Sequence, residues 1–557
     1  MAACIPSACA CVHVVAHVRA TVRQDELEAD RPQPDDQRCE VDDSHAGEHR
    51  PSRSAGQRAR CALHSHGSEI AVARARAYED PVFLVPPSLP PTPKDLVDKA
   101  HILLDRKLGP SKVLHLPESC ERFSRDESEA EGRVPDLVVL AETLDDIRDT
   151  LTVSVEARVP LTARGAGTGR TGGAVPVAGG IVLDTTRMNQ IKEIDRGDLV
   201  AVVAPGVILK DLHAAAEREG LFYPPDPNSW ETCMLGGNIA ENAGGPRAFK
   251  YGVTRDYVLG LETTLMGGTT LRTGRRTVKG VAGYDMTALF VGSEGTLGVF
   301  SEITLKLIPK PETVFTLMGL FGAARDATVA VEAMIRRGVV PRCLELTDSG
   351  SLDAMRAQGV GIDASARAML LIDLDGDMTT CERDMERVGE ACDEAKAIEV
   401  LVAQDASQRD RLWAARRELS HAIRNMAKNK LAEDVVVPRS RITDLMDAVE
   451  RSGQEYGVRT LAYGHAGDGN LHVNFLWDDD EDVPKVHKAI EAMMRHVIEM
   501  RGTISGEHGI GVLKIPFLPW EQSAELIAVQ KGIKDQLDPL GLLNPGKIFA
   551  PGGHKAC

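Results

Sequence analysis

The stretch from Val159 to Pro176 limits most sharply what this chain can become. A short apolar strand (Val159, Pro160, Leu161) runs into a loop carrying Gly165, Gly167, Gly169, Gly172 and Gly173, and strand resumes at Ile181–Asp184. Glycines this close together let backbone N–H groups converge on an anion, because no Cβ bars the approach. A diphosphate is the natural guest. Gly167-x-Gly169-x-x-Gly172 also matches the dinucleotide fingerprint, but that motif needs a helix opening on its last glycine. Residues 173–180, rich in Gly, Val and Pro, make a poor helix. An ordinary Rossmann reading fails on this context.

At 557 residues the chain is long enough for about three or four domains. A net charge of −17 argues against nucleic acid or an anionic membrane as the main partner. No apolar run reaches the ~18 residues of a membrane span, so any membrane association would be peripheral. Of eleven cysteines, five (Cys4, Cys9, Cys11, Cys39, Cys61) fall in the first 61 residues, and no Cys-x-x-Cys pair occurs. The expectation is a cytoplasmic protein, with contact at the inner membrane surface open, and no second electron carrier of its own.

Residues 1–80 show no sustained period and read as disordered or as a misplaced translation start; the opening lacks the basic start and apolar core of a signal peptide. Pro86–Pro93 is a stiff linker. Helical spacing over Lys94–Leu108, a buried strand within 133–141, a helix over Leu144–Val155 and the strand at Val159 make a β-α-β start with the glycine loop at its exit. Strands follow at Leu199–Ala204 and a helix at Leu209–Glu219. The expected boundaries are 1–93 for the extension and linker, 94–311 for a cofactor domain, 312–535 for a substrate domain, and 536–557 for a segment returning to the first.

Two further glycine-rich segments follow, Leu235–Gly245 and Lys279–Gly298. A backbone this bare suggests a chain wrapped closely around a large, flat, phosphorylated ligand, and FAD fits. The order and wording of these segments resemble the FAD-binding domain of flavoproteins related to vanillyl-alcohol oxidase and p-cresol methylhydroxylase (PCMH). Specifically, they resemble the FAD-dependent D-2-hydroxyacid dehydrogenases, the glycolate oxidase flavin subunit and D-lactate dehydrogenase type, over roughly residues 95–550. The resemblance implies an α+β fold: a two-subdomain PCMH-type FAD-binding domain, then an α+β substrate (cap) domain with an antiparallel sheet. It implies that Arg164, Gly165, Gly167, Thr168, Gly169, Gly172 and Gly173 hold the pyrophosphate. Pro225, Asp226, Ser229, Gly236, Gly237, Asn242 and Gly244 would line the flavin and ribityl chain. Some relatives tether the flavin through a His or Cys; the residue types in these loops are Arg, Thr, Ala and Gly, so non-covalent FAD is expected.

In the second half, Thr313–Phe321 and Ala368–Asp375 read as strands and Ala324–Arg337 and Cys381–Ala395 as helices, an antiparallel sheet with helices on one face. His465 and His472 flank a Gly-Asp-Gly-Asn turn, so they can converge from the arms of a hairpin. Glu507 and His508 follow about 35 residues later. Two histidines and a carboxylate suit a divalent metal with open positions. By resemblance, His465, His472 and Glu507 would ligate a divalent metal, Zn or Mn by donor type, and His508 would be the base. A 2-hydroxy acid would chelate the metal, lose its hydroxyl proton to His508, and pass the C2 hydride to flavin N5. Arg416, in a Trp-x-x-Arg segment, would hold the substrate carboxylate, and Asn474 could add a hydrogen bond.

Relatives specialised for D-2-hydroxyglutarate carry a lysine where this chain has Ala432, which favours glycolate or D-lactate unless Lys430 substitutes. D-2-hydroxyglutarate dehydrogenation, a non-redox alkyl transferase on the same fold, a metallohydrolase or Fe(II) oxygenase, and a non-enzymatic binding subunit are the rival readings. The electron acceptor is expected to be a quinone or a protein, with an iron–sulfur partner subunit among the candidates and a homodimer open as the assembly.

Overall fold

The computed structural model describes residues 89–550. The extension up to residue 80, its five cysteines and the start of the proline-rich linker lie outside the described residues. The rest of that linker is anchored: Arg133 donates to the Leu89 carbonyl at 2.9 Å, and Thr92 to the Ala178 carbonyl at 3.1 Å.

The first sheet has four strands in the order β1 (Val113–Leu114), β2 (Leu137–Leu140), β4 (Ile181–Asp184), β3 (Leu161–Arg164). β2, β3 and β4 run parallel. Helices α1 (Lys94–Leu108) and α2 (Leu144–Ala157) pack on one another, and their apolar residues share a core with the sheet. Cys120 and Phe123 pack with Val138 and Leu140 on the opposite face, and cover on both faces explains why β2 reads Leu-Val-Val-Leu with no polar alternation. α2 starts at a capping box in which Thr143 Oγ1 accepts from Asp146 N while Asp146 accepts from Thr143 N. β3 begins at Leu161, later than the expected Val159, because Pro160 has no N–H to give a ladder. It therefore ends on Arg164 and delivers the glycine loop directly.

The second sheet is antiparallel, in the order β5 (Ile191–Asp195), β6 (Val200–Val203), β9 (Val299–Lys306), β7 (Val258–Thr264), β8 (Thr270–Gly274). α3 (Leu209–Arg218) and α4 (Leu235–Glu241) pack with it in one core. α4 takes up the first part of the glycine-rich segment Leu235–Gly245. Glycine in a helix costs about 1 kcal/mol against alanine. Here contact demands it, since a Cβ on Gly236 would lie 2.8 Å from Pro205 Cβ.

The third sheet is antiparallel with seven strands. In order they are β13 (Glu399–Val402), β10 (Thr313–Phe321), β12 (Ala368–Gly376), β11 (Cys343–Thr347), β15 (Arg459–His465), β16 (Asn470–Trp477) and β14 (Asn429–Val436). Helices cover both faces, not one as expected. Leu370, Ile372, Ala462, Val473 and Phe475 meet α5 (Ala324–Arg336), α7 (Met378–Glu394), α10 (Ile442–Tyr456) and α11 (Val483–Glu499). On the other face Met318, Met369, Leu461 and Leu476 meet α6 (Ser349–Ala357) and α9 (Leu419–Arg424). The chain end then pairs beside β3, with Leu161 N donating to Leu542 O and Asn544 N to Leu161 O.

Candidate active site

Strands β15 and β16 pair in a register that sets His465 opposite Asn470 and Tyr463 opposite His472. Paired residues share a face, and so do residues two apart, so both histidines point the same way. Their ring centroids lie 5.3 Å apart. Glu507 Oε1 approaches from the following loop, 3.8 Å from His465 Nε2 and 3.6 Å from His472 Nε2. One ligand atom from each of the three lies within 4.8 Å of the others. His508 stacks on His472 at 5.5 Å and puts its Nε2 3.8 Å from Glu507 Oε1.

Two buried carboxylates that the sequence reading gave no role hold this arrangement. Glu345, on β11, is the strand partner of His465 and contacts its Nδ1 at 2.5 Å. Its other oxygen ion-pairs with Arg416 Nη2 at 2.5 Å. Burial would push the Glu345 carboxyl up, but His465 and Arg416 outweigh it and bring it down to about 2. Asp434, on β14, accepts the N–H groups of Gly506, Glu507 and His508 at 2.8, 2.8 and 3.1 Å, and Asn470 Nδ2 at 2.6 Å. Its carboxyl is held far below the usual range because His508, Lys514 and His472 outweigh the cost of burial. The signal for both was present: an acid inside the apolar runs Leu344–Leu346 and Ala432–Val437 has to be satisfied, and a buried acid is seldom idle.

In the absence of a cation the three imidazoles are pulled in different directions. Burial opposes protonation of His465, yet Glu345 and Glu507 hold it well above histidine's ordinary range. Burial takes His472 down to about 3 and lowers His508 despite its acidic neighbours. A neutral His508 can accept a proton. His472 Nδ1 and Glu507 Oε2 are buried without hydrogen-bond partners among the described residues. The N/N/O donor set, with polar atoms left over, fits a divalent cation.

Arg416 comes from α8 (Ala406–Arg417), with its guanidinium 4.6 Å over the Tyr463 ring. It lines the same cavity, of about 580 Å³, as His465, His472, Glu507 and His508. Asn474 does not line it; it is fully buried, donates to the His472 carbonyl at 3.3 Å, and leaves its Oδ1 without a partner.

Glycine-rich backbone supplies much of the rest of the lining, and at Gly244 it comes so close to Glu507 that a Cβ would lie 2.9 Å from Oε2. Arg164, Gly165, Gly167, Thr168, Gly169 and Gly173 line the cavity, with Asp226, Ser229, Gly236, Gly237 and Gly244. Gly172, Pro225 and Asn242 lie outside the lining. Gly172 packs where a Cβ would sit 2.5 Å from Val512 Cγ2. The Pro225 carbonyl meets His213 Nε2 at 3.0 Å, and Asn242 caps α4 in a left-handed conformation while accepting from Arg255 N at 2.8 Å. A Cβ on Gly237 would meet no atom within 4 Å. The space before Gly237 is a cradle that a side chain would fill, which fits a flat cofactor lying against the backbone.

Two family models match the chain: "FAD binding domain" over residues 135–274 and "FAD linked oxidases, C-terminal domain" over residues 310–548. The glycolate oxidase subunit GlcD of Bacillus subtilis is 42% identical over 436 residues, 78% of this chain and 93% of that protein. A D-lactate dehydrogenase of Anaerostipes hadrus is 35% identical over 458 residues, 80% of this chain and 96% of its own length. Among solved structures, p-cresol methylhydroxylase superposes with a TM-score of 0.69 over 84% of this chain and 99% of its own, at 16% identity. That last likeness shows the PCMH-type fold alone.

Proposed function

The chain belongs to the FAD-linked oxidase family and is a flavin-dependent oxidoreductase, and from that premise we propose that it oxidises a small 2-hydroxy acid, glycolate or D-lactate, to the 2-oxoacid. The observation that carries the proposal is the juxtaposition, in one cavity, of the glycine-backed wall and the His465–His472–Glu507 cluster with His508 and Arg416 beside it. The names of the two relatives point to the same substrates.

When bound, FAD supplies a two-electron acceptor, and a divalent cation on His465, His472 and Glu507 supplies the positive charge that acidifies the substrate hydroxyl. The chain's own residues do the rest. Arg416 takes the substrate carboxylate, with Glu345 keeping the guanidinium in place. His508, uncharged, removes the hydroxyl proton as C2 is oxidised. Glu345 also orients His465, so that Nε2 faces the cluster. Pyrophosphate contacts fall to the loop from Arg164 to Gly173, and flavin contacts to the backbone at Gly236, Gly237 and Gly244.

Substrate size follows from Ala432, which lines the cavity and offers no second cation. Lys430, two residues along the same strand face, donates to the Ser420 hydroxyl and carbonyl at 2.9 and 3.1 Å, and burial lowers it to about 8. A monocarboxylate suits this wall better than D-2-hydroxyglutarate. Electrons leave to an external acceptor, a quinone or a protein such as an iron–sulfur subunit. Among the described residues the free cysteines (Cys120, Cys233, Cys343, Cys381, Cys392) are buried singly, and no helix is long and apolar enough to cross a membrane.

A dye-linked assay tests the reading. Glycolate or D-lactate should reduce the dye, a chelator should stop it, and added Zn or Mn should restore it. His508→Ala should lower kcat by about 10²- to 10⁴-fold. Full activity in the His508 variant, or in chelator, overturns the assigned roles.

A further inference from the structure

The loop carrying Glu507 and His508 is anchored at two ends, and only one anchor belongs to its own sheet. At its start, Asp434 takes three consecutive N–H groups. At its far end the anchors come from the glycine-loop lobe. Thr171 Oγ1 donates to the His508 carbonyl at 2.9 Å, and Val512 N donates back to the Thr171 carbonyl at 2.9 Å. Glu294 accepts from Ile510 N and Gly511 N at 2.8 and 2.7 Å. The approach is so close that a Cβ on Gly511 would lie 2.1 Å from the Thr171 carbonyl oxygen. The chain end bolts the junction, with Asn544 Nδ2 donating to the carbonyls of Gly173 and Glu294 at 3.1 and 2.8 Å, and Ile548 N to Gly511 O at 2.9 Å.

Thr171 sits between Gly169 and Gly173, inside the loop assigned to the pyrophosphate. We propose that the two sites are thermodynamically coupled: a diphosphate held by the Arg164–Gly173 loop raises the affinity of His465, His472 and Glu507 for a divalent cation, with Thr171 and Glu294 as the positioning residues that transmit it. This rests on the cofactor and metal readings above. A glycine-rich loop has more backbone freedom to lose than any other. Whichever ligand orders the junction first leaves less for the second to order, and the benefit is reciprocal by linkage. His508 rides on the same junction, so its placement improves with both ligands bound.

The test uses the full chain stripped of FAD and metal. Mn²⁺ affinity is measured by titration with and without FAD, and FAD affinity by flavin fluorescence with and without Mn²⁺. Each ligand should tighten the other by the same factor, in the range of about 5- to 150-fold. Thr171→Val, which removes the hydroxyl donor, should bind FAD yet bring the factor close to one, while Thr171→Ser restores it. If Thr171→Val does not fold, Glu294→Gln, which keeps one acceptor oxygen, should show a reduced factor. Equal Mn²⁺ affinities in the FAD-free and FAD-loaded wild type overturn the proposal, as does undiminished coupling in both the Thr171→Val and Glu294→Gln proteins. Failure to take up FAD would instead overturn the cofactor reading. Failure to bind Mn²⁺ or Zn²⁺ in either form would overturn the metal reading, and the coupling with it.

Discussion

Glu345 and His465 are cross-strand partners on β11 and β15, joined at 2.5 Å through His465 Nδ1. Because the other Glu345 oxygen ion-pairs with Arg416, one carboxylate orients both a candidate metal ligand and the candidate carboxylate-binding cation. Carboxylates behind a ligating histidine typically carry about 10- to 100-fold in metal affinity. Glu345→Gln should lose that much in a chelator competition and should also raise KM. Glu345→Ala leaves Arg416 buried without its counter-charge and should cost about 3–5 kcal/mol in urea unfolding.

Gly237 separates cofactor binding from folding. A Cβ there meets nothing within 4 Å, so Gly237→Leu should unfold at the wild-type urea midpoint yet purify colourless. Gly172→Ala does the reverse. It strains a backbone at φ +82° and presses on Val512, so the loss should appear in stability.

Asp434→Ala would leave three backbone N–H groups of residues 506–508 without their acceptor. An orphaned N–H costs up to about 1–3 kcal/mol where it is shielded from water, and these three are part-buried, so the loop should detach before the fold does. Protease cleavage within 505–511 should rise, and kcat should fall by roughly 100-fold or more as His508 loses its place.

His213 gives the stability a defined acid limb. Burial, then the positive charge of Arg247, lowers it to about 3, against an unfolded value of 6.5. Between those values the unfolded chain binds a proton that the folded chain refuses. The stabilisation is therefore complete above pH 6.5 and is lost as pH falls toward 3, on the order of 4–5 kcal/mol in all. Between pH 7 and pH 5 the wild type should lose about 2 kcal/mol that His213→Gln does not, read from urea midpoints at the two values.

What the sequence disclosed and what it hid follow one physical line. Glycine spacing and the His465–His472 hairpin depend on local backbone geometry, so the wall and the cluster were legible from short segments. The helix at Leu235–Glu241 was not, because Gly236 is there to admit Pro205, a contact no local pattern announces. Helices on both faces of the third sheet were missed for a related reason: apolar residues at both parities of β12 show that both faces are covered, but not by what. Glu345 and Asp434 act through partners 120 and about 70 residues away, and only the strand register reveals them.

The central claim is oxidation of a small 2-hydroxy acid at a flavin with a metal's help, and anaerobic flavin bleaching tests it most directly. The FAD-loaded protein is mixed in turn with glycolate, D-lactate, L-lactate and D-2-hydroxyglutarate, with and without chelator. The account predicts bleaching by glycolate or D-lactate, none by L-lactate, and loss of bleaching in chelator. A yellow protein that none of the four acids bleaches would contradict it.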